Sequence, residues 1–217
     1  IFLENVKNLE IHDDGKTLKI ILSTIEDLGY HVFYKILNTS DFGLPQNRER
    51  IYIIAFKYTV NSTGFSFPNS ISKAVALNDF LEKDPSDVKI VERDDIEINK
   101  DFNPETTVFG DINLPNKPIQ IGKVNKGGQG ERIYHPLGHA ITLSAYGGGV
   151  GSKTGLYLID GKIRKLSTRE CARVQGFPDS FIVNPVMTQA YKQFGNSVSI
   201  NVLRKIAEKI INQLGIK

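Results

Sequence analysis

The chain has 217 residues, of which 40% are hydrophobic and 24% charged, so it can bury the core of one large domain or two small ones. A single cysteine excludes a disulfide framework, and no apolar run approaches the roughly eighteen residues of a membrane helix, so we expect a cytoplasmic protein with no membrane partner. The formal net charge of +3 hides a basic excess at residues 107–217, which carry fifteen basic and six acidic side chains.

The start of the chain has the pattern of an α/β sheet. A strand, a helix and two further strands are predicted, in that order, at residues 1–6, 17–28, 31–37 and 50–57. The helix ends at Gly29, and its apolar face consists of Leu18, Ile21, Ile25 and Leu28. We interpret this order as the second half of an α/β sheet. Because the chain opens on the apolar run Ile1-Phe2-Leu3, which reads as a buried strand already under way, we expect a fragment of a longer protein.

Polar side chains stand at the ends of two of these strands. The first strand ends in Glu4-Asn5-Val6, and open α/β sheets bind ligands at the carboxyl ends of their strands. The last strand begins in the run Gln46-Asn47-Arg48-Glu49-Arg50, where Arg48 and Arg50 should project to the same side. Two adjacent guanidiniums suit an anion or the acceptor edge of a base, although an exposed strand end of mixed charge fits the same pattern.

The middle of the chain predicts a separate β module. Hydrophobic periodicity is lost over residues 58–118, where we place a domain boundary and at most a short helix near 71–83. Strand patterns return at residues 119–124, 131–134, 139–146, 155–158 and 162–165. The last two are joined by the turn Asp160-Gly161. These strands predict a small, basic, all-β module.

A glycine-rich stretch at residues 126–151 lies within this module. Eight of its 26 residues are glycine, which lets a backbone lie close to a ligand. Between the glycines it carries hydrogen-bonding and stacking side chains at Gln129, Arg132, Tyr134, Thr142, Ser144 and Tyr146. With the basic excess around it, the stretch favours a nucleic-acid surface. Two plain glycine loops joined by a strand, with the charges spread over solvated faces, fit the same residues.

The chain closes with helical patterns. Ser167 and Glu170 form a capping box for a helix that should run to Gln175. Cys171 lies inside it with no basic residue placed to activate it, so we interpret it as a core residue and not as a nucleophile. A last helix follows residues 195–197, and its predicted apolar stripe is Ile200, Leu203, Ala207, Ile210 and Leu214. We expect this helix to return to the first domain.

Four of these segments, in this order, resemble the later motifs of the DNA cytosine-5 methyltransferases. They are Glu4-Asn5-Val6, Gln46-Asn47-Arg48-Glu49-Arg50, Arg169-Glu170-Cys171-Ala172-Arg173 with Gly176-Phe177-Pro178-Asp179, and Gln193-Phe194-Gly195-Asn196-Ser197-Val198. The resemblance covers nearly the whole chain and is weakest over 58–118. Residues 127–134 and 140–149 also resemble the target-recognition region of a family member that reads GCGC.

The resemblance implies a fold and a function. The fold would be the second half of a Rossmann-like methyltransferase sheet with a small mostly-β target-recognition domain and a returning C-terminal helix. Its divisions would be a partial catalytic domain at 1–77, the recognition domain at 78–166 and a helical segment at 167–217. The function would be methyl transfer from S-adenosylmethionine to a cytosine flipped out of double-stranded DNA. A bacterial restriction-modification context implies a cognate restriction endonuclease as a further partner.

The resemblance also implies catalytic and cofactor-binding roles. Glu4 matches the glutamate that contacts N3 and the exocyclic amine of the cytosine. Arg50 matches the arginine at the O2 edge, and Arg48 matches its companion near the nucleophile loop. Asn196 and Ser197 match the turn that contacts S-adenosylmethionine.

Six residues match positions that contact DNA in the family. Gln129 resembles the residue that fills the place left by the flipped base. Arg132, Tyr146 and Gly149 resemble base-reading positions, Thr142 lies nearer the DNA backbone, and Ser144 completes the predicted DNA-binding set. No metal site is predicted.

The sequence departs from the family in two respects. It has no glycine-rich motif after a first strand and no Pro-Cys loop, so we expect it to be inactive without a missing N-terminal half. One alternative is a DNA-binding specificity subunit with no catalytic activity of its own. A weaker one is a β module for another anionic polymer. Glu4 and Arg50 at strand ends favour the enzyme over the specificity subunit.

Overall fold

A computed structural model describes residues 1–71, 75–99 and 115–216 of the chain. Its strands and helices are, in order, β1 (Phe2–Val6), α1 (Lys16–Asp27), β2 (Tyr30–Asn38), β3 (Glu49–Lys57), β4 (Glu97–Ile98), β5 (Ile119–Lys123), β6 (Arg132–His135), β7 (Leu156–Ile159), β8 (Lys162–Arg164), α2 (Thr168–Val174), α3 (Met187–Asn196) and α4 (Ile200–Leu214). Among the described helices, none has both the length and the apolar character needed to cross a membrane. The short helix expected near 71–83 falls partly outside the described residues, and its described part contains the 3₁₀-helix Leu77–Phe80.

The first sheet has the strand order β1-β3-β2, with both pairs antiparallel. Its central strand β3 is apolar and buried from Ile51 to Phe56 because its two faces enter two different cores. The core under α1 contains Leu18, Ile25, Ile51, Ile53 and Ala55. The core under α4 contains Leu37, Phe42, Tyr52, Ile54, Phe56, Phe65, Phe67, Val202 and Ile206. The predicted order of strand, helix, strand and strand is confirmed.

Two details of this half differ from the prediction. Strand β1 is not buried, since Phe2, Leu3 and Val6 are 40%, 42% and 51% exposed. The reason is that, among the described residues, β1 pairs with β3 alone and so forms an edge of the sheet. Helix α4 does return to the sheet, but its fully buried positions are Val202 and Ile206, which the predicted stripe did not include.

The second sheet has the order β4-β5-β6-β7-β8 and is antiparallel except between β6 and β7. Its core consists of Val91, Ile121, Val124, Ile133, Leu156 and Ile163. The turn between β7 and β8 is confirmed, because Asp160 and Gly161 have φ angles of 49° and 74°, as a tight two-residue hairpin requires. Strands β5 to β8 were all expected, whereas the two-residue strand β4 was not.

The strand predicted at residues 139–146 does not form. Only Ala140 makes a bridge, in parallel with Gln46, and the rest of the segment lies outside both sheets, with bends at Ala145 and Tyr146. Its backbone groups bond to loops and side chains, so no strand ladder forms. We call residues 139–146 the crossing segment, because it joins the start of β3 to the second sheet.

Helices α2 and α3 pack against the β module. The capping box of α2 is confirmed, with the Ser167 hydroxyl accepting from Glu170 N and the Glu170 carboxylate accepting from Ser167 N. Helix α3 was not expected, and it continues through Gly195, which the sequence suggested as a turn. Glycine is required there by contact, since a Cβ at Gly195 would lie 2.2 Å from the backbone nitrogen of Ala145.

Candidate functional site

The crossing segment is held on both sides by hydrogen bonds. On one side Ala140 N donates to Pro45 O at 2.6 Å, and the Thr142 hydroxyl donates to Asn47 O at 2.6 Å. On the other side Ser144 N donates to Lys153 O at 2.9 Å. These hydrogen bonds tie the segment to the residues before β3 and to the glycine-rich loops.

Arg48 lies under this segment and is buried, with 3% of its surface exposed. Its Nη1 donates to Leu143 O at 2.8 Å, and its Nη2 donates to Gly195 O at 3.0 Å and to Ser197 O at 2.8 Å. Burial lowers the pKa of Arg48 to about 10, so the guanidinium stays charged at neutral pH. Its hydrogen bonds go to backbone carbonyls, and it does not form with Arg50 the exposed pair that the sequence suggested.

Glu4 and Arg50 come together on the neighbouring strands β1 and β3. Arg50 Nε lies 3.1 Å from Glu4 Oε1, and the two side chains are 15% and 26% exposed, respectively. Arg50 Nη1 donates to the Glu49 carbonyl at 2.7 Å, which fixes the orientation of the guanidinium. Burial is the main cause that lowers the pKa of Arg50, whereas the charge of Glu4 raises it. A carboxylate and a guanidinium thus stand side by side, partly open to solvent.

The glycine-rich loops and the crossing segment enclose a cleft of about 170 Å³, which we call the glycine cleft. Four of the six predicted DNA-binding residues line it, namely Gln129, Thr142, Ser144 and Tyr146. Tyr146 is 72% exposed, and its ring lies 5.3 Å from the ammonium of Lys192 on α3. Lys153 also lines the cleft. The cleft therefore presents hydroxyl and amide groups, an exposed aromatic ring and the ammonium of Lys153, with Lys192 beside that ring.

The other two predicted DNA-binding residues do not line the cleft. Arg132 is exposed at the start of β6, with its Nε 3.4 Å from Gly127 O. Gly149 has a φ angle of 84°, and a Cβ there would lie 2.9 Å from Gly130 O. Gly149 thus allows the two glycine loops to pack backbone against backbone.

The Asn196 turn (residues 195–197) ends α3. Asn196 is exposed, and its side chain makes no hydrogen bond to the part of the chain that the structure describes. The Ser197 hydroxyl donates to Phe194 O at 2.9 Å, and Gln175 Nε2 donates to the same carbonyl at 2.8 Å. An aromatic cleft of about 290 Å³, lined by Phe177, Phe181, Phe194 and Ser197 among others, adjoins the turn.

Sequence reasoning missed two buried glutamines that hold these segments. Gln46 Nε2 donates to Val174 O at 3.0 Å, and its Oε1 accepts from Leu143 N at 3.2 Å. Gln46 and Gln175 are both 0% exposed. Gln46 is the first residue of the segment Gln46-Asn47-Arg48-Glu49-Arg50, but its burial depends on segments that are about a hundred residues away in the chain. No pattern in the neighbouring sequence predicts the burial of these two glutamines.

Cys171 is 1% exposed, and burial raises the pKa of its thiol well above the ordinary value. A thiol in that state is not a nucleophile, in agreement with the sequence interpretation. Within the described ranges, no group of three or more His, Cys, Asp or Glu side chains is placed to hold a metal ion.

Comparison with known proteins gives a consistent result. The family of C-5 cytosine-specific DNA methylases matches residues 1–212. The type II methyltransferase M.HhaI of Haemophilus parahaemolyticus is 48% identical over 219 residues, which cover 100% of this chain and 64% of that relative. M.HpaII of Haemophilus parainfluenzae is 37% identical over 99% of this chain and 60% of its own length. For M.SsoII of Shigella sonnei the identity is 39%, over 98% of this chain and 52% of that relative.

Two solved structures share the fold. The S. pombe Dnmt2 methyltransferase has a TM-score of 0.64 and 19% identity, over 100% of this chain and 66% of that one. The Entamoeba histolytica methyltransferase EhMeth has a TM-score of 0.66 and 18% identity, over 99% of this chain and 62% of that one. The predicted fold class is confirmed. The chain spans less than two thirds of the length of the relatives named above.

Proposed function

The chain belongs to the C-5 cytosine-specific DNA methylase family, and from that premise we propose that the full-length protein methylates carbon 5 of a cytosine flipped out of double-stranded DNA. The observation that carries this proposal is the Glu4–Arg50 pair, with Nε and Oε1 3.1 Å apart at the edge of the first sheet. S-adenosylmethionine would supply the methyl group. The proposal includes a bacterial cytoplasmic location and a restriction-modification context with a cognate endonuclease.

The pair suits one edge of a cytosine ring. Arg50 can donate to the O2 atom, which is an acceptor, while Glu4 holds a proton at N3 and accepts from the exocyclic amine. A proton held at N3 lowers the cost of adding a nucleophile to the ring, which is general acid catalysis. The Glu49 carbonyl holds one arm of the guanidinium, so Arg50 needs little reorganisation when the base arrives.

The nucleophile must come from outside this chain. The sequence has no Pro-Cys loop, and its one cysteine, Cys171, is buried in the core. We propose that the remaining part of the protein supplies the thiolate and the glycine-rich cofactor loop, and that this chain alone is inactive. The 64% coverage of M.HhaI supports this proposal.

The Asn196 turn fits the cofactor. The Asn196 side chain is exposed and makes no hydrogen bond within the described residues, so its amide can bind a polar group. Ser197 lies beside it, at the wall of the aromatic cleft. We assign both residues to S-adenosylmethionine and propose that most of that pocket belongs to the remaining part of the protein.

The glycine cleft is the proposed DNA-reading surface. Gln129, Thr142, Ser144 and Tyr146 line it, and Lys153 and Lys192 add positive charge near it. Arg132 and Gly149 belong to the same surface in the proposal, the first through its exposed guanidinium and the second by shaping the loops. Residues 78–166 would then be the target-recognition domain, with 1–77 and 167–217 as the flanking segments. GCGC is the proposed site, because residues 127–134 and 140–149 resemble a GCGC-reading region.

One observation favours a DNA-binding specificity subunit as the second candidate. The glycine cleft is complete within the described residues, whereas the nucleophile is absent from the sequence. The Glu4–Arg50 pair favours the methyltransferase, since DNA binding alone does not need it.

Bisulfite sequencing tests the proposal. The full-length protein is expressed from a plasmid that carries many GCGC sites, with the empty vector as control. We expect methyl groups at the inner cytosine of GCGC. Methylation concentrated in another context would refute the proposed site. Sequence-specific DNA binding without any methylation would favour the specificity subunit.

A further inference from the structure

One buried side chain bonds both the DNA-reading segment and the cofactor turn. Arg48 donates to Leu143 O, in the crossing segment, at 2.8 Å. It also donates to Gly195 O at 3.0 Å and Ser197 O at 2.8 Å, the two carbonyls that flank Asn196. These carbonyls are 95, 147 and 149 positions away in the chain, so Arg48 joins segments that the sequence keeps far apart.

The geometry of this link depends on a guanidinium. Its planar fork holds carbonyls from two segments in fixed relative positions, whereas a lysine ammonium is a compact charge on a flexible stem. The two buried glutamines nearby each hold only one of the segments. Gln46 bonds Leu143 N, and Gln175 bonds Phe194 O next to the turn. Among the described side chains, Arg48 is the one that hydrogen-bonds both.

The two segments also touch directly. A Cβ at Gly195 would lie 2.2 Å from Ala145 N and 2.3 Å from the carbonyl carbon of Ser144. The end of α3 therefore packs backbone against backbone on the crossing segment. A displacement of the crossing segment towards α3 would press on the backbone beside the Asn196 turn, because close-packed backbones have no free space between them.

We propose, on the basis of the function proposed above, that Arg48 is a positioning residue that couples DNA reading to cofactor binding. Cognate DNA in the glycine cleft fixes the crossing segment, and Arg48 then fixes the Asn196 turn in the position that binds S-adenosylmethionine. Coupling between two sites is reciprocal, so the cofactor must tighten cognate DNA binding by the same factor. The resemblance implied a place near the nucleophile loop for Arg48, and its three hydrogen bonds to backbone carbonyls add this positioning role.

The first test measures hydrogen exchange in the full-length protein, without any ligand. The variant is Arg48→Lys, and the matched control is Arg164→Lys, since Arg164 is equally buried and makes two 2.8 Å bonds to Glu170. We expect Arg48→Lys to speed exchange at residues 143–145 and 195–198 together. The control should not do so. Faster exchange at only one of the two segments, or equal effects of both variants, would overturn the proposal.

The second test measures the coupling itself by calorimetry. S-adenosylhomocysteine, which has no methyl group to transfer and so cannot react with the duplex, is titrated into the full-length protein with and without a GCGC duplex. We expect the duplex to tighten cofactor binding by a factor within the roughly 5–150-fold range of allosteric coupling in wild type and in Arg164→Lys. In Arg48→Lys this factor should fall towards one. If the duplex tightens cofactor binding by the same factor in Arg48→Lys as in wild type, the inference is overturned. The proposed function would be unaffected by that result.

A third measurement needs no variant and covers the case in which Arg48→Lys does not fold. Wild-type protein is mixed with a GCGC duplex or with a scrambled duplex, and no cofactor is added. We expect only the GCGC duplex to slow exchange at residues 195–198. Slowing at the crossing segment alone would overturn the coupling. Wild-type protein that binds neither duplex would refute the proposed function, and the coupling with it.

Discussion

At the scale of single residues, Glu4 carries the proposed acid chemistry. We expect Glu4→Gln to slow methyl transfer in the full-length protein by ~10²–10⁴-fold, because a glutamine side chain cannot transfer a proton to N3 of the ring. Duplex affinity should change little. The matched control is Glu49→Gln, since Glu49 lies on the adjacent strand in an exposed ion pair with Lys7, 2.9 Å away. Single-turnover kinetics give the answer, and an unchanged rate in Glu4→Gln would remove Glu4 from the mechanism.

Arg132 is the residue that tests base reading. Its guanidinium is exposed near the glycine cleft, and a bidentate arginine contact to a base discriminates by ~1–3 kcal/mol. We expect Arg132→Ala to relax selectivity at one position of the site. Lys162→Ala is the control, because Lys162 is exposed on β8 and does not line the cleft. Competition binding against duplexes with single substitutions measures the effect. A uniform loss across all sequences would instead assign Arg132 to phosphate contact.

At the scale of elements, the confirmed predictions concern features that depend on residues close together in the sequence. Helix α1, the hairpin of β7 and β8 and the capping box of α2 depend on residues close in sequence, and the structure confirms them. The crossing segment was wrongly predicted as a strand. Its residue pattern does not show whether the hydrogen-bond partners of its backbone lie in strands or in loops. Arg48 in the candidate site likewise depends on contacts that are distant in the sequence and that local patterns do not predict. Strand alternation predicted only that Arg48 projects to the same side as Arg50, whereas the segments that bury Arg48 lie 95 or more positions away in the chain.

The contact between α3 and the crossing segment can be tested with a single methyl group. We expect Gly195→Ala to lower the free energy of unfolding by at least the ~1–3 kcal/mol typical of overpacking, since the new Cβ meets rigid backbone. Gly148→Ala is the matched control, because a Cβ at Gly148 meets nothing within 4 Å. Urea denaturation of the full-length protein gives both values. Equal stability of the two variants would contradict the close packing on which the coupling depends.

At the scale of the whole molecule, two histidines make stability depend on pH. His139 is 1% exposed, and burial lowers its pKa, as it does for the half-buried His135. Below about pH 6.5 the unfolded chain takes up protons that the folded chain does not, so stability is lost as the pH falls through the lowered folded pKa values. We expect the free energy of unfolding to decline from pH 7 to pH 5. His139→Gln should flatten the decline, and a slope unchanged in that variant and in His135→Gln would contradict this assignment.

The last prediction concerns the 217-residue chain on its own. Strand β1 has an unpaired edge, and Phe2, Leu3 and Val6 are 40–51% exposed, so this edge invites pairing with another chain. The second sheet has its own core and should stay ordered. We expect the isolated chain to self-associate or to be partly disordered over residues 1–60 and 198–217. It should bind DNA weakly with strong salt dependence, because its basic side chains are present while the part of the protein that is proposed to carry the nucleophile is missing.

Light scattering, hydrogen exchange and calorimetry of that isolated chain measure these properties. S-adenosylmethionine should bind too weakly to detect, since the Asn196 turn is the only proposed contact that this chain provides. Mixing the chain with the separately expressed remainder of the protein should restore methylation, because the sheet that begins at β1 is then paired on both sides. A compact monomer with protected amides throughout would mean that the exposed edge of β1 costs the chain little stability. Micromolar cofactor binding by the chain alone would place more of the cofactor pocket in these residues than Asn196 and Ser197.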